Sequence, residues 1–138
     1  MKKVLSVIFV MALFHICIIA SGVEAGEILD AKFLSKIADT INKKMGLPKQ
    51  LNEDTILKSV THAHSALVYT YIMIKVSADD LDTNEVGKRM KEYLLSQGAC
   101  KQFGKYIFNN ELIVRYKYYG QNRNLICSFD ITKRDCSS

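Results

Sequence analysis

Apolar and polar positions alternate most regularly near the carboxyl end. From Glu111 to Tyr119, Leu112, Val114, Tyr116 and Tyr118 alternate with Ile113, Arg115, Lys117 and Tyr119. From Asn124 to Thr132, Leu125, Cys127, Phe129 and Ile131 alternate with Ser128, Asp130 and Thr132, and only Ile126 is out of step. Strand side chains point to opposite faces in turn, so each run predicts a strand with one core face. Gly120-Gln121-Asn122-Arg123 between them predicts a tight reversal, with Gly and Asn supplying positive φ. The two runs therefore read as an antiparallel hairpin.

Upstream, β-branched and aromatic residues cluster in two further runs, about 55 to 62 and 66 to 76. In the second, Val68, Thr70, Ile72, Ile74 and Val76 share one face, and Leu67, Tyr69, Tyr71, Met73 and Lys75 share the other. Both faces are rather apolar, which suits a central strand.

Two segments carry helical spacing instead. Leu29, Phe33, Ile37, Ile41 and Met45 recur every four residues, with Leu34 and Ala38 widening the stripe. Lys43, Lys44, Gly46 and Pro48 mark its end near Met45. Val86, Met90, Tyr93, Leu94 and Gln97 form the second stripe, opened by Asp82 or Thr83 as a cap and closed at Gly98. The order helix, two strands, helix, two strands predicts an α+β fold, a two-layer body with both helices on one side of a four-stranded antiparallel sheet.

The amino end reads differently. Met1-Lys2-Lys3, an apolar run from Val4 to Ala20 and the small-residue site Val23-Glu24-Ala25 form the pattern of a secretory signal peptide. Cleavage after Ala25 is expected, leaving Gly26 to Ser138 as a single α+β domain of ordinary size in the periplasm. Lys2, Lys3 and Glu24 leave with residues 1–25, so the formal charge falls from +5 to +4. That mild excess does not reach the level of a nucleic-acid binder, and export argues against such a partner as well. Contact with the membrane is expected only transiently, through the signal peptide.

Export also changes the reading of the cysteines. Cys17 is lost with the signal, and Cys100, Cys127 and Cys136 enter an oxidising compartment. Cys127 falls on the inward face of its strand, whereas Cys100 and Cys136 stand outside the hairpin, so a Cys100 to Cys136 bridge is expected. Pairings of Cys127 with either of the others remain open from sequence.

Candidate chemistry is sparse. His62-Ala63-His64 would place two imidazoles on one side of an extended segment, but a zinc site needs three or four ligands and no second histidine cluster follows. Asp79, Asp80 and Asp82 lack the glycine and distal glutamate of a calcium loop. No Gly-x-Ser-x-Gly elbow or glycine-rich phosphate loop occurs. The expectation is a non-catalytic protein with no cofactor and no metal. Tyr69, Tyr71 and Met73 on one strand face, with Arg115, Lys117 and Tyr119 on the outward face of another, would form a tyrosine and cation surface for a protein partner if the two strands are neighbours.

Leu47-Pro48, the strand start Thr55-Ile56-Leu57, Cys100, the strand Tyr116-Lys117-Tyr118 and the terminal Cys136 together resemble small periplasmic proteins of Gram-negative bacteria. That resemblance implies a periplasmic accessory protein of a secretion or conjugation machine, contacting another envelope protein, and names no active residues. The alternative is an inhibitor or immunity protein against an envelope hydrolase.

Overall fold

The computed structural model describes residues 31–137. The expected signal peptide and its cleavage site lie outside that range. The first helix, α1, spans Ala31–Met45 and buries Phe33, Leu34, Ile37, Ala38 and Ile41 of the stripe expected from the four-residue spacing, while Met45 is half-buried and Leu29 lies outside the described residues. Gly46 follows at φ 63°, and its N–H donates to the Lys43 carbonyl at 3.2 Å while Leu47 N–H reaches Asn42 at 3.0 Å. These bonds satisfy carbonyls that the last helical turn leaves open, with glycine tolerating the left-handed backbone.

Five strands follow in a single sheet, in spatial order β1-β2-β3-β4-β5. They are β1 at Lys49–Gln50, β2 at Thr55–Ala63, β3 at Ala66–Met73, β4 at Ile113–Tyr119 and β5 at Leu125–Ile131. The expected four-stranded antiparallel sheet is corrected on two points. A short β1 adds a fifth strand against Leu57 and Ile56, and β3 pairs with β4 in parallel. The second point follows from the connection: the chain leaves β3, runs back over the sheet through helices, and enters β4 from the end at which β3 began. A crossover of that kind makes parallel neighbours, whereas each hairpin makes antiparallel ones.

The crossover contains α2, Thr83–Ser96, and α3, Ala99–Phe103. Asp82 caps α2, its side chain accepting from the Glu85 N–H at 3.1 Å. Gly98, at φ 94°, separates the two helices, which is the break the sequence places there. Helix α1 packs on β2 and α2 on β5, so the helical layer covers one face of the sheet. The core between the layers is built from Leu57, Val60, Leu67, Val114, Tyr116, Tyr118 and Ile131 on the sheet and from Phe33, Ile37, Ile41, Val86, Met90, Leu94 and Phe103 above it. At roughly 25 cal/mol per Å² of apolar surface removed from water, side chains of this size dominate the stabilising terms.

Cys100 in α3 and Cys136 in the last 3₁₀ turn, Lys133–Cys136, are joined by a disulfide with Cα atoms 5.5 Å apart. Cys127 is free and buried.

Candidate functional site: the two faces of the sheet

Register decides which residues can act together. Tyr69 pairs with Tyr116 and Tyr71 with Tyr118 across the parallel β3 and β4 strands. Directly paired residues share a face, so Tyr69, Tyr71 and Met73 lie on the inner, helix-covered side. Arg115, Lys117 and Tyr119 lie on the outer side. The expected single surface of Tyr69, Tyr71, Met73, Arg115, Lys117 and Tyr119 is therefore split, even though the two strands are neighbours. The sequence shows which residues alternate within each strand, but not which phase of one strand meets which phase of the next.

On the inner face five rings form a ladder across three strands. Tyr69 stacks on Tyr116 at 5.5 Å, Tyr71 on Tyr118 at 4.8 Å and Tyr116 on Phe129 at 5.4 Å between ring centroids. Phe103 from α3 meets Tyr69 edge-on at 6.1 Å. Tyr69, Met73, Tyr116 and Tyr118 are buried, and Tyr71 and Phe129 half-buried. Burial raises the phenol pKa of Tyr69, Tyr71, Tyr116 and Tyr118 above the ordinary value, and neighbouring tyrosines add to the rise at Tyr69, Tyr116 and Tyr118. These phenols stay protonated at neutral pH and act as packing. The Tyr118 hydroxyl is buried without a hydrogen-bond partner among the described residues.

The outer face is organised in rows that cross the strands. Ile56, Ile72, Tyr119 and Leu125 pair in succession from β2 to β5. The next row is Ser59, Thr70, Lys117 and Ser128, and the next is Thr61, Val68, Arg115 and Asp130. Arg115 and Asp130 form a two-point ion pair, with Nε to Oδ1 at 2.8 Å and an Nη2 to Oδ2 bond at 3.1 Å. Side chains in the first two rows are half-exposed or exposed.

Leu125 corrects the inward face expected for β5. It is 47% exposed, whereas Ile126, the residue out of step, is 3% exposed. The register shifts between Tyr118 and Tyr119, where Tyr118 faces Cys127 and Tyr119 faces Leu125. A β-bulge of this kind places one extra residue in one strand and reverses the alternation beyond it. Ile56, Ile72 and Leu125 were absent from the expected surface, and the break in alternation at Leu125-Ile126 was the signal that could have found Leu125.

The remaining candidate chemistry is not brought together. His64 occupies the β2–β3 reversal at φ 51°, so it no longer extends the strand beside His62. The inward-facing Cys127 is on β5, three strand spacings or about 14 Å from the strand that holds His62. Burial pushes its thiol pKa up to about 12, which suppresses the thiolate needed for nucleophilic attack. Among the described residues, no group of three or more His, Cys, Asp or Glu side chains could hold a metal ion. No helix among them is long and apolar enough to cross a membrane.

No protein-family model matches the chain, and no curated protein is significantly similar to it. Solved structures do share the fold. A crystal structure of a protein assigned as secreted from Pseudomonas aeruginosa aligns with a TM-score of 0.57 at 18% identity, over 80% of this chain and 99% of that one. The pilotin EpsS of the Vibrio vulnificus type 2 secretion system aligns at 0.53 with 17% identity, over 78% and 92%. The type II secretion system pilotin AspS of Vibrio cholerae aligns at 0.54 with 14% identity, over 77% and 91%. The chain thus shares its architecture with a protein assigned as secreted and with two type II secretion pilotins.

Proposed function

We propose that this protein is a non-catalytic accessory component of an envelope secretion machine. It is exported behind a signal peptide cleaved after Ala25, and residues 26–138 act in the periplasm as one domain by contact with another envelope protein. The observation that carries this reading is the fold shared with two type II secretion pilotins, which accounts for more than nine-tenths of each pilotin chain. Three further features support it. The expected half-cystine pair is joined, as suits an oxidising compartment. The thiol left over is buried in the core. The polar and aromatic residues not spent on packing, Arg115, Lys117 and Tyr119, lie on the outer face of the sheet.

Affinity purification from cross-linked envelope extracts, read by quantitative mass spectrometry, tests the proposal. Components of a secretion machine are expected to co-purify in constant ratio, and deletion of the gene is expected to lower export of that machine's substrates. Co-purification of one hydrolase, with loss of that enzyme's activity on addition of the pure protein, would replace the accessory reading by the inhibitor one.

A further inference from the structure

The last turn, Lys133–Cys136, buries none of its side chains, and a terminal turn without buried contacts frays unless it is tied down. It is tied at three places. Lys133 Nζ reaches Glu111 Oε1 at 3.1 Å just ahead of β4, Lys91 Nζ of α2 reaches Asp135 Oδ1 at 3.0 Å, and Cys136 is bonded to Cys100 of α3. The Lys133–Glu111 pair is exposed on both sides and the Lys91–Asp135 pair is only partly covered, and ion pairs open to water hold weakly. The covalent bond therefore positions the turn. Asp135 precedes Cys136 in the chain, so it stays beside Lys91 while that bond is intact.

From Lys91 the contacts continue inward along α2. One turn back, Gly87 lies so close to β5 that a Cβ there would stand 3.3 Å from the Cys127 Cβ. Met90, next to Lys91, places its Sδ 4.0 Å from the Cys127 Sγ. Beneath these two residues Cys127 is 8% exposed, whereas Cys100 and Cys136 are each half-buried. A disulfide within reach of solvent thus stands at one end of a series of contacts, and a covered thiol at the other. Helix α1 is held differently, since Asn42 bonds to both backbone groups of Val60 in β2.

We infer that the Cys100–Cys136 bond is a redox-sensitive lock on α2: its reduction frees the last turn, takes Asp135 away from Lys91 and lets α2 lift locally from β5, uncovering Cys127 while α1 stays packed. A dithiol reductant supplies the electrons. One of its thiolates attacks a half-cystine and expels the other as a thiolate, and its second thiol then closes a disulfide within the reductant and releases the first half-cystine, so that Cys100 and Cys136 both end as thiols. No bond to Cys127 changes. Opening of this kind is local unfolding of one unit of the fold, at a lower free energy than global unfolding.

Cys127 itself reports the opening. Maleimide labelling of the exported chain, located by peptide mass mapping, is compared between the oxidised protein and the Cys100→Ser, Cys136→Ser variant. Cys127 should label at least tenfold faster in the variant, at a rate nearly independent of low urea, because a local opening exposes little new surface. Amides of α2 should then exchange hydrogen faster than those of α1, whose rate follows global unfolding. Lys91→Met keeps the disulfide and reads the same contact in a fully folded chain: labelling should quicken at least threefold with little change in the urea midpoint. If labelling of the serine variant climbs with urea as steeply as global unfolding does, or α1 and α2 exchange together, the bond adds overall stability alone and the lock does not exist. Labelling indifferent to Lys91→Met would overturn it equally.

Discussion

At Tyr118 the physical balance can be read from one atom. Its ring is sandwiched between Tyr71 and Phe129, with centroids at 4.8 and 6.1 Å, and the stacking is favourable. Its hydroxyl is buried with no partner among the described residues, and an unpaired buried hydroxyl costs about 1 to 3 kcal/mol. Tyr118→Phe keeps the stack and removes the hydroxyl, so urea denaturation should show it to be as stable as wild type or about 1 kcal/mol more stable. A loss of more than 1 kcal/mol would mean that the hydroxyl is satisfied. Asp135 shows the opposite case. Burial raises its pKa, but hydrogen bonds from Lys91 and from the backbone and side chain of Thr132 outweigh burial and hold the carboxyl below its ordinary value of 3.8. A lowered folded pKa stabilises the native state above the unfolded pKa, and that contribution is lost as pH falls through the folded one. Asp135→Asn should therefore cost about 1 kcal/mol at pH 7, the usual worth of a helix cap, and the difference from wild type should shrink as pH falls below the ordinary carboxylate value of 3.8. Neither balance was visible in the sequence, because both depend on what a folded side chain touches.

At the scale of elements, the edge of β2 is protected by a side chain. Strand β1 covers only Leu57 and Ile56, and beyond it Asn42 of α1 takes over. Asn42 Nδ2 donates to the Val60 carbonyl at 2.6 Å and to the Ala38 carbonyl at 2.8 Å, while Oδ1 accepts from the Val60 N–H at 3.0 Å. One amide thus serves both backbone groups of Val60 as a neighbouring strand would, which blunts an exposed edge. Asn42→Ala should cost about 2 kcal/mol by denaturation, because those groups lose their partners in a buried setting. Faster hydrogen exchange at the Val60 amide would locate the effect. The disulfide between α3 and the last turn closes a separation of 36 residues, worth about 3 to 4 kcal/mol in the chain-entropy view. Cys100→Ser with Cys136→Ser should lose about that much, and proteolysis should then begin at the carboxyl end. The turn between β4 and β5 departs from its expected chemistry. The positive φ falls on Arg123, and Gly120 is needed for space, since a Cβ there would stand 2.7 Å from the Val76 carbonyl oxygen.

For the molecule as a whole, the two faces of the sheet predict opposite sensitivity. Leu67 is fully buried, so Leu67→Ala should cost about 2 to 5 kcal/mol, whereas Leu125→Ser should change stability by less than about 0.5 kcal/mol. A large loss at Leu125, measured by thermal and urea unfolding of the monomer, would mean that this side chain is part of the core. Local readings were largely legible without coordinates: α1 with its carboxyl end, α2 with both ends, the four main strands, the Cys100 to Cys136 pair, and the inward position of Cys127. Helical and strand periodicity, caps and glycine breaks act between residues a few positions apart, so they are written into the order of the chain. The parallel seam between β3 and β4, the sorting of Tyr69 and Tyr71 away from Arg115, Lys117 and Tyr119, and the outward turn of Leu125 were decided only when strands distant in sequence took their register. That register is set by packing one whole face against the helices, a condition no single stretch of chain carries within it.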